Sequence, residues 1–325
     1  MGAGHDHAHG AGGHAHGASA DSDKRWLGGA LAIIVVFLLG EVVVGVVSGS
    51  LALLSDAAHM LTDAASIALA LWAINLAARP ATGRMTFGWK RAEILSAQIN
   101  GLTLLVLAGW LGFEAIRRLI NPPEVTGTLV LITALVGVVV NVAASWMISR
   151  ANRTSLNVEG AFQHILNDLF AFIATAIAGA VIIVTGFARA DAIASLVVVA
   201  LMLKAGIGLV RASTRVFLEA APADIDPDQV GRAMAALDAV VEVHDLHIWE
   251  ITSGSPALSA HVLVQPGSDC HVARSALAEQ ILRDYHIEHA TLQVDHAEPT
   301  LSGPSQPSTH CEEAHGPAHR NPNVS

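Results

Sequence analysis

Charge is scarce in this chain. Of its 325 residues only 14% are Asp, Glu, Lys or Arg, while 52% are hydrophobic. A soluble domain averages about 25% charged residues, so a wholly water-soluble protein is excluded. Cysteine is scarcer still: Cys270 and Cys311 are the two, too few for a disulfide framework. The N-terminus shows no apolar run behind a basic start, so no cleavable signal peptide is visible. No HExxH, P-loop, GxSxG or dinucleotide fingerprint occurs, which removes the common motif-level signs of enzymatic or nucleotide-driven chemistry. The net charge of -10 carries no nucleic-acid signal.

What is present is apolar, and it is unevenly spread. Hydrophobic residues concentrate between Trp26 and Val210, and the chain beyond Pro222 reads as ordinary soluble protein. A membrane-spanning helix needs about 20 apolar residues. Six segments meet that need, near 26–47, 51–77, 92–119, 126–149, 158–185 and 190–211. Ser48-Gly49-Ser50, Pro122-Pro123 and Gly186 mark turns between them. The resulting division is a His-rich N-terminal tail at 1–23, expected to be disordered, a six-helix domain at 24–215, a soluble domain at 216–299, and a disordered His-containing tail at 300–325. Lys24, Arg25, Arg79, Arg84, Lys90, Arg91, Arg150, Arg153, Arg211 and Arg215 fall on one side of such a bundle. Arg117, Arg118 and Arg189 fall on the other. The basic side faces the cytoplasm by the positive-inside rule, which puts both termini there.

Two phrases inside the apolar segments carry the chemistry. His59-Met60-Leu61-Thr62-Asp63 and His164-Ile165-Leu166-Asn167-Asp168 both read H-x-x-x-D. On a helix, residues four apart share a face. Each phrase therefore aims an imidazole and a carboxylate the same way, and two such helices face to face converge two His and two Asp. That is a four-ligand N/O set suited to tetrahedral zinc. Ionisable residues deep in a membrane are costly and mark function by default. The plainer alternative, interhelical polar contacts alone, does not account for the repeated spacing. Asp56, three residues before His59, is placed to orient that histidine or accept a proton. Among the other polar residues in the spans, Glu41 and Asn141 read as interhelical hydrogen-bonding groups, and Asn100 and Asn157 carry no assigned role.

The soluble region predicts a helix from Asp226 to about Leu237, a strand from Val240 to Trp249, a strand from Leu258 to Val264, a helix from His271 to Tyr285 and a short strand from Thr291 to Val294. That order suggests a small α+β sandwich. Seven of the 17 histidines lie here: His244, His247, His261, His271, His286, His289 and His296. With Asp245, Asp295 and Glu298 nearby, the cluster reads as a second, more open metal site, to which Cys270 beside His271 is a weak further candidate. The five histidines of the N-terminal tail (His5, His7, His9, His14 and His16) read as loose metal capture, and Cys311 beside His310 would add to it in the C-terminal tail.

The run Ser50-Leu51-Ala52-Leu53-Leu54-Ser55-Asp56-Ala57-Ala58-His59-Met60-Leu61-Thr62-Asp63 resembles the cation diffusion facilitator family, and its cobalt-zinc-cadmium resistance branch in particular. So do Phe87-Gly88-Trp89-Lys90-Arg91-Ala92-Glu93, His164 to Asp168, and His244-Asp245-Leu246-His247-Ile248-Trp249. The resemblance covers about residues 24–299. It implies a homodimer in the cell (inner) membrane, six transmembrane helices per subunit, and a cytoplasmic ferredoxin-like α+β C-terminal domain. It implies that divalent metal, zinc first with cadmium or cobalt as further cargo, leaves the cell in exchange for protons as counter-ion. On this resemblance the transport site is His59, Asp63, His164 and Asp168. The cytoplasmic zinc ligands are His244, His261, His271, His296 and Glu298, the zinc there being structural or regulatory. Met85 and Trp89 stand where some relatives carry histidines of a further loop site, so that site is not expected. No nucleic acid enters the expected partners. Two other readings fit parts of the pattern. A membrane metal sensor would bind zinc without flux, and an intramembrane zinc enzyme would need an open coordination position that four protein ligands do not leave.

Overall fold

The structure is a computed structural model, and it describes residues 15–48, 51–121, 127–187, 189–297 and 316–322. Within the helices, the side chains of Glu41, Asp56 and His59 lie outside the description. So do Glu298, Cys311 and the histidines of the first fourteen residues, together with the roles expected of them.

The chain forms two compact units, 1–211 and 212–325. The first contains six long helices: α1 (Ala15–Ser48), α2 (Leu51–Ala77), α3 (Ala92–Ile120), α4 (Gly127–Ile148), α5 (Leu156–Thr185) and α6 (Ala190–Phe217), whose last turn and a half reaches into the second unit. Four of the six follow the apolar segments to within a turn, and α6 runs six residues past its expected end. The exception at a start is α1, which begins at Ala15, inside the expected disordered tail. Ala, Ser, Asp, Lys and Arg in 15–25 extend the helix outward from the apolar run. Asp23 there is buried and accepts a hydrogen bond from the Asn152 backbone N–H at 2.7 Å. Burial raises its carboxyl above the usual Asp range, against the opposing pull of that bond. Among the described residues, three helices are long and apolar enough to cross a membrane: Ala92–Ile120, Leu156–Thr185 and Ala192–Phe217.

Two bonds fix which helix ends lie together. Asp23 and Asn152 join the start of α1 to the α4–α5 connection. Arg189 donates to the Leu119 carbonyl at 3.0 Å, which joins the end of α3 to the α5–α6 connection. Lys24 and Arg25 thus lie at the same end of the bundle as Arg150 and Arg153. One apolar cluster draws on α1, α2, α4 and α5 around Leu27, Ile34, Ile67, Ile148 and Ile165. A second joins α3 to α6 through Leu104, Ala108, Val199 and Met202. Glycines let α3 and α6 approach: a Cβ on Gly206 would meet the Leu105 side chain at 2.9 Å and the Gly101 carbonyl at 3.0 Å. Midway along α6, Lys204 is exposed, a charge the sequence reading passed over.

The second unit has its own core. It runs α7 (Pro227–Ala235), β1 (Val240–Glu250), β2 (Pro256–Val264), α8 (Cys270–Tyr285), β3 (His289–His296) and β4 (His319–Arg320). The sheet order is β3-β2-β1-β4, with β2 and β3 parallel and the other pairs antiparallel. Val230 and Met234 of α7 and Leu277 and Ile281 of α8 bury against Val243, Leu258, Ala260 and Val262 of the sheet. Both helices therefore cover one face, which leaves alternate strand residues such as His244 and His261 on the other. Asp226 caps α7 and Asp269 caps α8 through their side chains.

The expected disorder of 300–325 needs correction for 316–322. His319 and Arg320 add a fourth strand beside Val243 and Glu242. Asn321 is buried, and its amide donates to the Leu237 carbonyl at 3.1 Å and the Val240 carbonyl at 2.9 Å. Arg320 pairs with Glu242 at 2.9 Å. The buried His319 ring fills the space that a side chain at Gly231 would take. A segment of this polarity looks disordered by composition, but it satisfies the otherwise open edge of β1.

Candidate metal centre

Helix α2 carries Asp63 and helix α5 carries His164 and Asp168. All three are buried, at 0%, 0% and 4% exposure. His164 Nε2 lies 2.9 Å from Asp63 Oδ1 and 4.0 Å from Asp168 Oδ2. One ligand atom from each residue fits within 4.8 Å of the others, and among the described residues this is the only His, Cys, Asp and Glu group so gathered. The helical spacing explains half of it, since His164 and Asp168 stand one turn apart on α5. The packing of α2 against α5 supplies the rest. His59 sits one turn before Asp63 on α2, with its side chain outside the description.

The ring nitrogen aimed at both carboxylates is Nε2. In the tautomer with its proton on Nε2, that nitrogen donates to Asp63 Oδ1. A cation bound between the three residues takes that proton's place, since a metal-ligating imidazole nitrogen must be unprotonated. One nitrogen and two carboxylate oxygens suit a borderline cation such as zinc, and they are poorer for magnesium or calcium, which prefer oxygen shells.

The second unit gathers part of its expected set. His244 and His261 are paired across β1 and β2, with rings 5.5 Å apart, edge to face. His244 Nδ1 lies 3.4 Å from Glu242 Oε1. Asp245, at φ 52 in a bulge between His244 and His247, bridges His247 at 3.1 Å and His261 at 3.8 Å. His296 lies apart from this pair: Cys270 Sγ approaches its ring nitrogens at 3.6 and 3.7 Å, and the Ser268 carbonyl is 2.9 Å from Nε2. His271 is exposed at the start of α8, where its backbone N–H bonds Asp269. The described members of the five-residue set thus divide into a sheet-face pair, a strand-end histidine and a helix-start histidine. The nearby carboxylates of Glu242 and Asp245 were not among the expected ligands. Asp245 at least was signalled by its place between two histidines.

A buried His and two Asp able to hold a metal ion among long apolar helices, joined to a separate α+β unit, point to the class of multi-pass membrane proteins that handle metal cations. Two family descriptions match the chain: "Cation efflux transmembrane domain" over residues 29–218 and "Cation efflux protein, cytoplasmic domain" over residues 222–297. The chain belongs to the cation efflux family. It is 39% identical over 297 residues to the metal cation efflux system protein CzcD of Cupriavidus metallidurans, covering 91% of this chain and 90% of that one. It is 37% identical over 298 residues to a cadmium, cobalt and zinc/H(+)-K(+) antiporter of Bacillus velezensis, covering 90% and 92%. It is 36% identical over 294 residues to the zinc transporter ZitB of Escherichia coli, again covering 90% and 92%.

Proposed function

We propose that the chain exports divalent metal, zinc first, in exchange for protons, through His59, Asp63, His164 and Asp168. The observation that carries this is the single buried nitrogen facing two buried carboxylates. Metal and proton compete for His164 Nε2, so the site holds one or the other, which is the elementary requirement of an antiporter. The names of the relatives, an antiporter of cadmium, cobalt and zinc and a zinc transporter among them, support the same reading and the wider cargo of cadmium and cobalt. They favour transport over a sensor that binds without flux, and over an enzyme.

In this reading the basic end of the bundle and both termini face the cytoplasm, and two subunits associate through the cytoplasmic domain. The His244 and His261 imidazoles, with Glu242 and Asp245 beside them, are a donor set that fits zinc. They would hold a resident ion there; His296 and His271 stand away from that pair, so with Glu298 they would serve a separate ion. Such an ion supplies a fixed positive charge that ties strands, and across the dimer subunits, together.

Zinc titrated into weakly buffered purified protein tests the site. The native chain is expected to release protons as zinc binds, and Asp168→Ala to lose most of that release at the membrane site. Unchanged release from Asp168→Ala would remove Asp168 from the site.

A further inference from the structure

Beyond the metal centre, the bundle buries neutral polar groups that the chemistry described so far does not use. Helices α2, α3 and α5 pack against one another. Buried on these helices are Ser66 of α2, Ser96 and Asn100 of α3, and Asn157 of α5, all between 0% and 7% exposed. Ser66 Oγ, Ser96 Oγ, Asn100 Nδ2 and Asn157 Oδ1 have no hydrogen-bond partner among the described residues.

Their order along the helices matters. Asn157 donates through Nδ2 to the Ala70 carbonyl of α2 at 2.9 Å, and seven residues further along α5 His164 meets Asp63. Seven residues back along α2 from Ala70 is Asp63 itself, so α2 and α5 run antiparallel in register. Ser66 falls between these two crossing points, on the face it shares with Asp63 and Ala70. Asn100 lies against α5 at Gly160, where an added Cβ would stand 3.6 Å from the Asn100 amide nitrogen. Ser96 is one turn nearer the start of α3. The four groups therefore occupy successive levels over about 10 Å of helix, from the end where α2 stops and α3 and α5 begin, down to Asp63 and His164.

Helix contacts in a membrane are ordinarily sealed by apolar or small residues, and buried polar atoms are ordinarily paired with protein or with ordered water. Unpaired oxygens and an amide on three mutually packed helices, spaced at successive turns, are a row of water-sized hydrogen-bonding stations. A divalent cation sheds its water reluctantly, and neutral oxygen or amide groups can hold its hydration shell without trapping the ion by charge. We propose that Ser66, Ser96, Asn100 and Asn157 line a hydrated file through which the divalent cation reaches the Asp63, His164 and Asp168 site. The neutral groups conduct, and the charged groups at the bottom bind. This rests on the cation-export reading above.

The test uses the full-length chain with Cys270→Ser and Cys311→Ser, in inverted membrane vesicles. Single cysteines are introduced as Ser66→Cys, Ser96→Cys and, as a control on the outward face of α2, Ala68→Cys. The probe is a membrane-impermeant cationic methanethiosulfonate, and modification is read by mass spectrometry. The file predicts that Ser96→Cys and Ser66→Cys are both modified, that Ala68→Cys is not, and that saturating cadmium slows modification at position 66 severalfold. If neither serine position is modified while the parent vesicles accumulate zinc, the file is wrong and export stands. Equal modification at position 68 also overturns it. Parent vesicles that accumulate no zinc would instead remove the export reading on which the file rests. A second variant guards against misfolding of the cysteine forms. Asn100→Val should lower maximal zinc flux about tenfold, as for a raised barrier to passage, with equilibrium zinc binding unchanged. Undiminished flux in that variant would likewise overturn the file.

Discussion

Asn321→Ala isolates the contribution of the C-terminal strand. The Asn321 amide makes two hydrogen bonds, to Leu237 at 3.1 Å and Val240 at 2.9 Å, in a residue that is 4% exposed. A buried intramolecular hydrogen bond contributes about 1 kcal/mol net. Losing both therefore costs the second unit about 2 kcal/mol, with the backbone bond from Asn321 N to the Val241 carbonyl left in place. In a domain of this size, 1 kcal/mol moves the melting temperature by about 4–8 °C, so the expected fall is about 8–16 °C. Residues 212–325 form a compact unit with a core of their own, so thermal unfolding of that fragment, followed by circular dichroism, is the assay. Deleting 316–325 should cost more, because His319 also leaves its place against Gly231. A fall of less than about 2 °C for Asn321→Ala would mean that these bonds contribute far less than a buried pair should, and would refute the docked strand as a stabilising element.

Other outcomes follow from the same physical terms. The Asp269 carboxyl is held below the usual Asp range by the Val272 backbone N–H first and the His271 N–H second. A lowered folded value stabilises above the unfolded pKa and is lost as pH falls through the folded one. Asp269→Ala should therefore melt lower than the parent at neutral pH, with the gap closing below about pH 4 in a melting series across pH. Gly206→Val would drive a side chain into Leu105 and the Gly101 carbonyl, where even a Cβ meets atoms at 2.9 and 3.0 Å. It should part α3 from α6 and lower the thermal stability of the detergent-solubilised protein, read by size-exclusion recovery after heating.

The apolar segments were legible because membrane burial demands long runs, and Ser48-Gly49-Ser50, Pro122-Pro123 and Gly186 punctuate them clearly. The helix-strand-strand-helix-strand order was legible for a similar reason: Val240 to Trp249 and Leu258 to Val264 are rich in strand formers between turn residues. The fourth strand was not. Two residues show no alternation, and what holds His319 and Asn321 is a glycine and carbonyls far away in sequence. The start of α1 was hidden because its first turns are polar and continue a helix that the apolar run nucleates. At the candidate metal centre, the H-x-x-x-D spacing put His164 and Asp168 on one face of α5, and the same spacing pointed to Asp63 on α2. Ser66, Ser96, Asn100 and Asn157 gave no such signal. Neutral polar residues are common contacts between membrane helices, and only their alignment across three helices distinguishes them. In the second unit, the grouping of His244 with His261 depends on strand register, which the sequence does not print.

The most direct test of the central claim is zinc flux into proteoliposomes under an imposed pH gradient, for the native chain and for Asp63→Ala. Flux that follows the gradient and disappears in the variant is the predicted result. Undiminished flux in Asp63→Ala would contradict the site, and tight zinc binding by the native chain with no flux at all would contradict the transport function itself.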